Sequence, residues 1–88
     1  MESYRIVYQR HAVERMAQRG ISEEEVTCAL SAGETIREYP SKLLLYWRGY
    51  RPLHVVVAMN DIDNEKIIIT VYEPDSVQWE SDFKRRRQ

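Results

Sequence analysis

Two β-branched runs, Leu53 to Met59 and Lys66 to Tyr72, flank the polar loop Asp61-Ile62-Asp63-Asn64-Glu65 and constrain the fold more than any other feature of the chain. Valine and isoleucine at this density suit a pleated, half-buried surface, and the polar loop between them suits a hairpin. Two further strand-like segments come before it. Glu34 to Tyr39 leads through Pro40-Ser41 into Lys42 to Arg48, and Gly49-Tyr50-Arg51-Pro52 turns the chain back. Apolar spacing of the helical kind is confined to the first third. Helices first and strands afterwards give an α+β chain, with helices on one face of an antiparallel sheet.

The helical third has sharp punctuation. From Arg10 to Arg19, Ala12, Val13, Met16 and Ala17 mark one face, and Gly20 is a left-handed stop. Ser22-Glu23-Glu24-Glu25 reads as a capping box, with Ser22 as N-cap and Glu25 as its reciprocal partner. Val26, Ala29 and Leu30 then face inward until Gly33. Tyr4 to Tyr8 alternates weakly and is a short edge strand. Beyond Pro74, Ser76 to Arg85 reads as a last helix, capped by Ser76 or Asp75 and anchored by Val77, Trp79 and Phe83. The expected architecture is a short N-terminal strand, two helices, a four-stranded antiparallel sheet and a short C-terminal helix, in a single domain over residues 1–88.

Strand parity divides the sheet into two faces. Val55, Val57, Met59, Ile67, Ile69 and Val71, with Ile36, Leu43, Leu45 and Trp47, form the face for the helices to cover. With the hairpin centred on Asp63, His54 lies opposite Tyr72 and Val56 opposite Thr70. Their face also carries Arg37, Tyr46 and Arg48, and is basic and aromatic rather than plainly core or plainly solvated.

Composition narrows the functional classes. An 88-residue chain with 43% hydrophobic and 31% charged residues is an ordinary folded domain with a thin core. Its single cysteine, Cys28, excludes an internal disulfide and is expected as a buried thiol on an apolar helix face. No apolar run is long enough for a signal peptide or a membrane span, so a cytoplasmic protein is expected. Metal-ligand spacings, phosphate-cradling glycine loops and Ser/His/Asp patterns are all absent, and no cofactor is implied. The net charge is −1, but ten of the thirteen cations are arginine, a residue suited to bidentate phosphate contacts. Lys84-Arg85-Arg86-Arg87 is strongly basic.

Two constellations could carry chemistry. His11, Arg15 and Arg19 are spaced i, i+4, i+8 and lie along one side of the first helix. A neutral imidazole there could take a proton from a ribose hydroxyl while the two guanidiniums hold the adjoining phosphate. The alternative is that the arginines pair with Glu14 or Glu23 and His11 only packs. The second set is His54 with Tyr72 on the open sheet face. Metal-free RNA cleavage needs a base for the 2′-OH, a cation for the phosphorane and an acid for the leaving oxygen, roles open to histidine, arginine and tyrosine. The alternative is a cross-strand pair that covers a sheet face. Arg19, Arg37, Tyr46, Arg48, Arg85 and Arg86 are the candidate RNA contacts, and the basic tail could equally be a solvated end.

The run His11-Ala12-Val13-Glu14-Arg15-Met16-Ala17-Gln18-Arg19-Gly20-Ile21-Ser22 resembles the opening signature of the DUF4258 family. Leu53-His54-Val55-Val56-Val57, Ile69-Thr70-Val71-Tyr72, Pro74 and Trp79 follow in the matching order. The element order is also similar to that of RelE-like ribonuclease toxins, including the BrnT type. That similarity implies a metal-independent endoribonuclease acting on messenger RNA, in some cases at the ribosome, and neutralised by a cognate antitoxin protein. The rival expectation is a non-catalytic module that binds RNA or protein through its open face.

Overall fold

A computed structural model describes residues 4–87. The elements are β1 (Arg5–Tyr8), α1 (Arg10–Arg19), α2 (Glu23–Ala32), β2 (Glu34–Tyr39), β3 (Lys42–Arg48), β4 (Pro52–Asn60) and β5 (Glu65–Tyr72). They form one five-stranded sheet in the order β1-β5-β4-β3-β2. The chain is α+β with two helices, but two parts of the expected architecture are corrected. The sheet is mixed rather than four-stranded and antiparallel, because β1 joins its edge parallel to β5, from Arg5 opposite Glu65 to Tyr8 opposite Ile68. The outer edge of β5 offers unpaired amides and carbonyls, and β1 takes them up. Gln9 N–H, just past the strand, donates to the Ile68 carbonyl at 3.0 Å.

The second correction concerns the C-terminus, where no helix forms. After Tyr72 the chain becomes an irregular strap, residues 74–87, lying against the sheet face away from the helices. Asp75 does start a helix-like turn, its Oδ1 accepting from Val77 N and Gln78 N. The turn does not propagate. Trp79 is drawn down onto His54, Phe83 takes φ 57°, outside the right-handed helical region, and Trp79 bridges back to Arg86. The i, i+4 spacing of Trp79 and Phe83 imitates a helix face, but Trp79 is buried in a strap.

The helix boundaries follow local chemistry. Gly20 adopts φ 64°, and the amide of Ile21 closes onto the Met16 carbonyl. The capping box at the start of α2 is complete: Glu25 N–H donates to Ser22 Oγ at 3.2 Å, and Ser22 N–H donates to Glu25 Oε2 at 2.9 Å. Glu25 also receives Arg51 through both of its oxygens, at 3.0 and 2.9 Å. The same guanidinium donates to the Gly20 carbonyl at 2.8 Å, tying the end of α1 to the start of α2 and to the β3–β4 turn. Gly33 ends α2 where a Cβ would stand 2.3 Å from the Ala29 carbonyl oxygen.

α1 packs across β5, and α2 packs across β3 and β4. Beneath them Leu45, Val55, Val57 and Val71 are buried, as parity requires, with Leu43, Trp47 and Met59 packed against the cluster. Ile67 and Ile69 are not in it; Ile68 is, with none of its surface exposed. The reason is a bulge. Val56 faces Thr70 but Val57 faces Ile68, so Ile69 is the extra residue and the pleat changes phase there. Ile36 falls in a second bulge, between Thr35 and Arg37, and stays outside the core. Cys28 is exposed rather than buried, because Val26, Ala29 and Leu30 take the inward face of α2.

Candidate functional site

β1 stops opposite Ile68, so the edge of β5 beyond it is uncovered. α1 passes on one side of that open edge and the strap on the other. Between them lies a groove of about 360 Å³ lined by His11, Arg15, Arg19, Thr70, Tyr72, Glu73, Pro74, Asp75, Gln78, Trp79 and Arg86. The amphipathic pattern of α1 creates the first wall: burying Ala12 and Met16 leaves His11, Arg15 and Arg19 along the flank. The β5 bulge creates the floor, since it turns Thr70 and Tyr72 to the side where the strap lies.

The two α1 arginines that line the groove are not engaged by acids. Glu14 pairs with Arg10 at 3.2 Å, and neither Arg15 nor Arg19 has a carboxylate within 4 Å among the described residues. Arg86 enters from the strap, held by a 2.7 Å bond to Gln78 Oε1 and stacked 5.6 Å from the Trp79 ring. Glu73 and Asp75 stand on the same rim, with Asp75 committed to its own turn.

His54 and Tyr72 are cross-strand neighbours, but they do not share the groove equally. Tyr72 is half-buried and lines it. His54 has no exposed surface. Its Nε2 lies 2.6 Å from the Phe83 carbonyl oxygen and its Nδ1 lies 3.1 Å from the Tyr72 hydroxyl. A carbonyl only accepts, so Nε2 carries the proton; Nδ1 is then the acceptor, and Tyr72 donates to it. Burial lowers the His54 pKa below its ordinary value, although the Phe83 carbonyl opposes this, and the neutral tautomer is favoured. Burial also raises the Tyr72 pKa, opposed by Arg86 and Arg37. With its proton given to His54, the Tyr72 oxygen faces a ligand as an acceptor. Trp79 stands edge-on to His54 at 4.4 Å between ring centroids, so this histidine fixes both Tyr72 and the strap.

The other candidate contacts are dispersed. Tyr46 is half-buried beside His54, with the Lys84 ammonium 5.6 Å from its ring centroid. Arg37 lines a neighbouring cleft shared with Arg86. Arg85 pairs with Asp82. Arg48 lies exposed at the end of β3, away from the groove. Sequence reasoning missed Gln78 and Trp79 as groove residues, and Arg51 as the tie between the helices. The Gly49–Pro52 segment reads only as a turn, and nothing in it marks Arg51 for Glu25. Among the described residues no group of three or more His, Cys, Asp or Glu side chains could hold a metal ion, and no helix is long and apolar enough to cross a membrane.

No curated protein matches the chain. A family model does match it, described as a domain of unknown function, DUF4258, over residues 8–73. That span runs from the end of β1 to the residue after β5, and includes α1, Tyr72 and His54 but not the strap. The chain therefore belongs to the DUF4258 family.

Proposed function

We propose that this protein binds single-stranded RNA in the groove and cleaves it without a metal, by attack of a 2′-OH on the adjoining phosphate. The observation that carries the reading is convergence: His11, Arg15 and Arg19 from α1, Tyr72 from β5 and Arg86 from the strap line one groove. His11 accepts the 2′-OH proton. The 2′-oxygen attacks phosphorus, the P–O5′ bond breaks, and the departing oxygen takes a proton from water in the open groove. The products are a 2′,3′-cyclic phosphate and a 5′-hydroxyl. Arg15, Arg19 and Arg86 stabilise the charge that grows on the phosphorane. Tyr72, its hydroxyl held by His54, orients the ribose as an acceptor. His54 is a positioning residue in this scheme.

The test is purified protein with EDTA on a long unstructured RNA, alone and with ribosomes. Cleavage should leave cyclic phosphate ends, and His11→Ala should lower the rate by about 10²–10⁴-fold, the usual contribution of a general base. Cleavage untouched by His11→Ala would discard this site. As a RelE-like toxin, which we propose it to be, the protein expressed alone should slow bacterial growth, with a cognate antitoxin relieving it. A second reading, a non-catalytic RNA-binding module, draws support from the burial of His54, which leaves His11 as the one histidine lining the groove. Binding without cleavage in either setting would favour it.

A further inference from the structure

We infer that the cleft beside the groove, between β2, β3 and the strap, is a subsite for one unpaired nucleobase and its phosphate. The inference rests on the RNA reading above and adds where the neighbouring nucleotide sits. The cleft has a volume of about 270 Å³, room for a base and part of its sugar. Tyr72, Trp79 and Arg86 line both it and the α1 groove, so the two are adjacent across one ridge. A strand with a phosphate against α1 therefore brings its next base to the cleft.

The lining suits that occupant. Arg37, Lys42 and Arg86 are its charged residues, with no carboxylate among them. Neither Arg37 nor Lys42 has an acidic partner within 4 Å among the described residues. The floor is apolar: Leu44 and Trp79 are 4% and 5% exposed. Tyr39, 42% exposed, supplies an open aromatic ring, with the Lys42 ammonium 5.4 Å from its centroid. An exposed ring beside an apolar floor, rimmed by cations, is what a flat base with an attached anion requires, and only an unpaired base can enter it. A third groove, around Ile36, Lys84 and Arg85, is a poorer candidate. It contains Glu80, and its Lys84 and Arg85 are already paired with Glu34 and Asp82.

The experiment is a titration of the ¹⁵N-labelled full chain with two probes, adenosine 5′-monophosphate and ribose 5-phosphate. The nucleotide should shift the Tyr39 and Leu44 amides, residues that line the cleft and not the α1 groove. The sugar phosphate should shift only signals of the α1 groove. Tyr39→Ala should weaken nucleotide binding about tenfold, the scale of one base–aromatic stack, and leave ribose 5-phosphate unchanged. Tyr39→Phe, which keeps the ring, should bind as wild type and covers the case in which the alanine variant misfolds. Equal affinities and equal shifts for the two probes would mean that only phosphate is recognised, and would overturn the inference. So would no nucleotide binding, or a Tyr39→Ala variant that folds and binds normally. Neither probe contains an internucleotide phosphate, so the result is separable from catalysis. Nucleotide shifts at Tyr39 without RNA cleavage keep the subsite and remove the nuclease; cleavage without those shifts does the reverse.

Discussion

Replacing His54 with alanine should release the strap before it unfolds the domain. The ring touches three things that depend on it: the Phe83 carbonyl at 2.6 Å, the Tyr72 hydroxyl at 3.1 Å and the Trp79 indole at 4.4 Å. Each buried hydrogen bond contributes about 1 kcal/mol net, and more where a partner is left unsatisfied away from water. The ring–ring contact adds about 1 kcal/mol beyond area burial. The total is about 3 kcal/mol, a large part of the roughly 5–15 kcal/mol that holds a typical domain together. The loss should fall unevenly. Leu45, Val55, Val57, Ile68 and Val71 lie on the other face of the sheet, under the helices, and keep their contacts. Urea denaturation followed by far-UV circular dichroism measures the global part. Limited trypsin digestion measures the local part, since Lys84 to Arg87 become substrates once the strap lifts. A stability change under about 1 kcal/mol, together with a strap that remains protected, would refute the reasoning.

Five further outcomes are expected. Because the folded-state pKa of His54 lies below its unfolded value near 6.5, the unfolded chain binds more protons between the two. The stability it contributes is full above pH 6.5 and is lost as pH falls toward the folded value, so acidification should lower the denaturation midpoint more in wild type than in His54→Gln. The Glu25 pKa is lowered, chiefly by its bonds from Arg51, so its contribution holds above its usual 4.5 and fades as pH falls through the folded value. Arg51→Met should cost about 3 kcal/mol by leaving a mostly buried carboxylate without its partner, and Ser22→Ala about 1 kcal/mol, both read by denaturation; changes within about 0.3 kcal/mol would count against the tie and the cap. Changing Arg15, Arg19 and Arg86 together to glutamine should flatten the salt dependence of RNA binding by about 0.7 log unit per lost phosphate contact; an unchanged slope would move the binding surface elsewhere.

Local signals were the legible ones. Ser22 and Glu25 declare a cap because both partners lie within one turn. Gly20 declares a stop because few other residues accept its backbone angles. The hairpin pairs Asn60 with Glu65 and so turns between Ile62 and Asp63 rather than on Asp63, and His54 faces Tyr72 as expected only because the bulge at Ile69 makes up the difference; the grouping of His11, Arg15 and Arg19 followed from helical spacing. What stayed hidden depended on distant partners. The four residues of β1 say nothing of which edge they join. Ile67, Ile68 and Ile69 are the same amino acid, so no pattern reveals which one the bulge skips. Trp79 and Phe83 carry a helical interval, and only the presence of His54 beneath them decides for a strap. The meeting of α1 with Tyr72 and Arg86 depends on helix placement and strap path together, neither of which is a local property.

The bulge at Ile69 has a consequence for how tolerant this chain is to length changes. Along an unbroken ladder Thr70 and Tyr72 would point the same way as Ile68, into the hydrocarbon layer beneath α1. One supernumerary residue moves the strand by half a period, so Val71 returns to the interior with Ile68 while Thr70 and Tyr72 face the groove. Deleting that residue would close the ladder into a regular one, with Ile68 opposite Val57 and Thr70 opposite Val56 as before, so Val71 would stay inward and Tyr72 would stay on the groove side. A strand one residue shorter at this position would thus be expected to keep both its core face and its groove face.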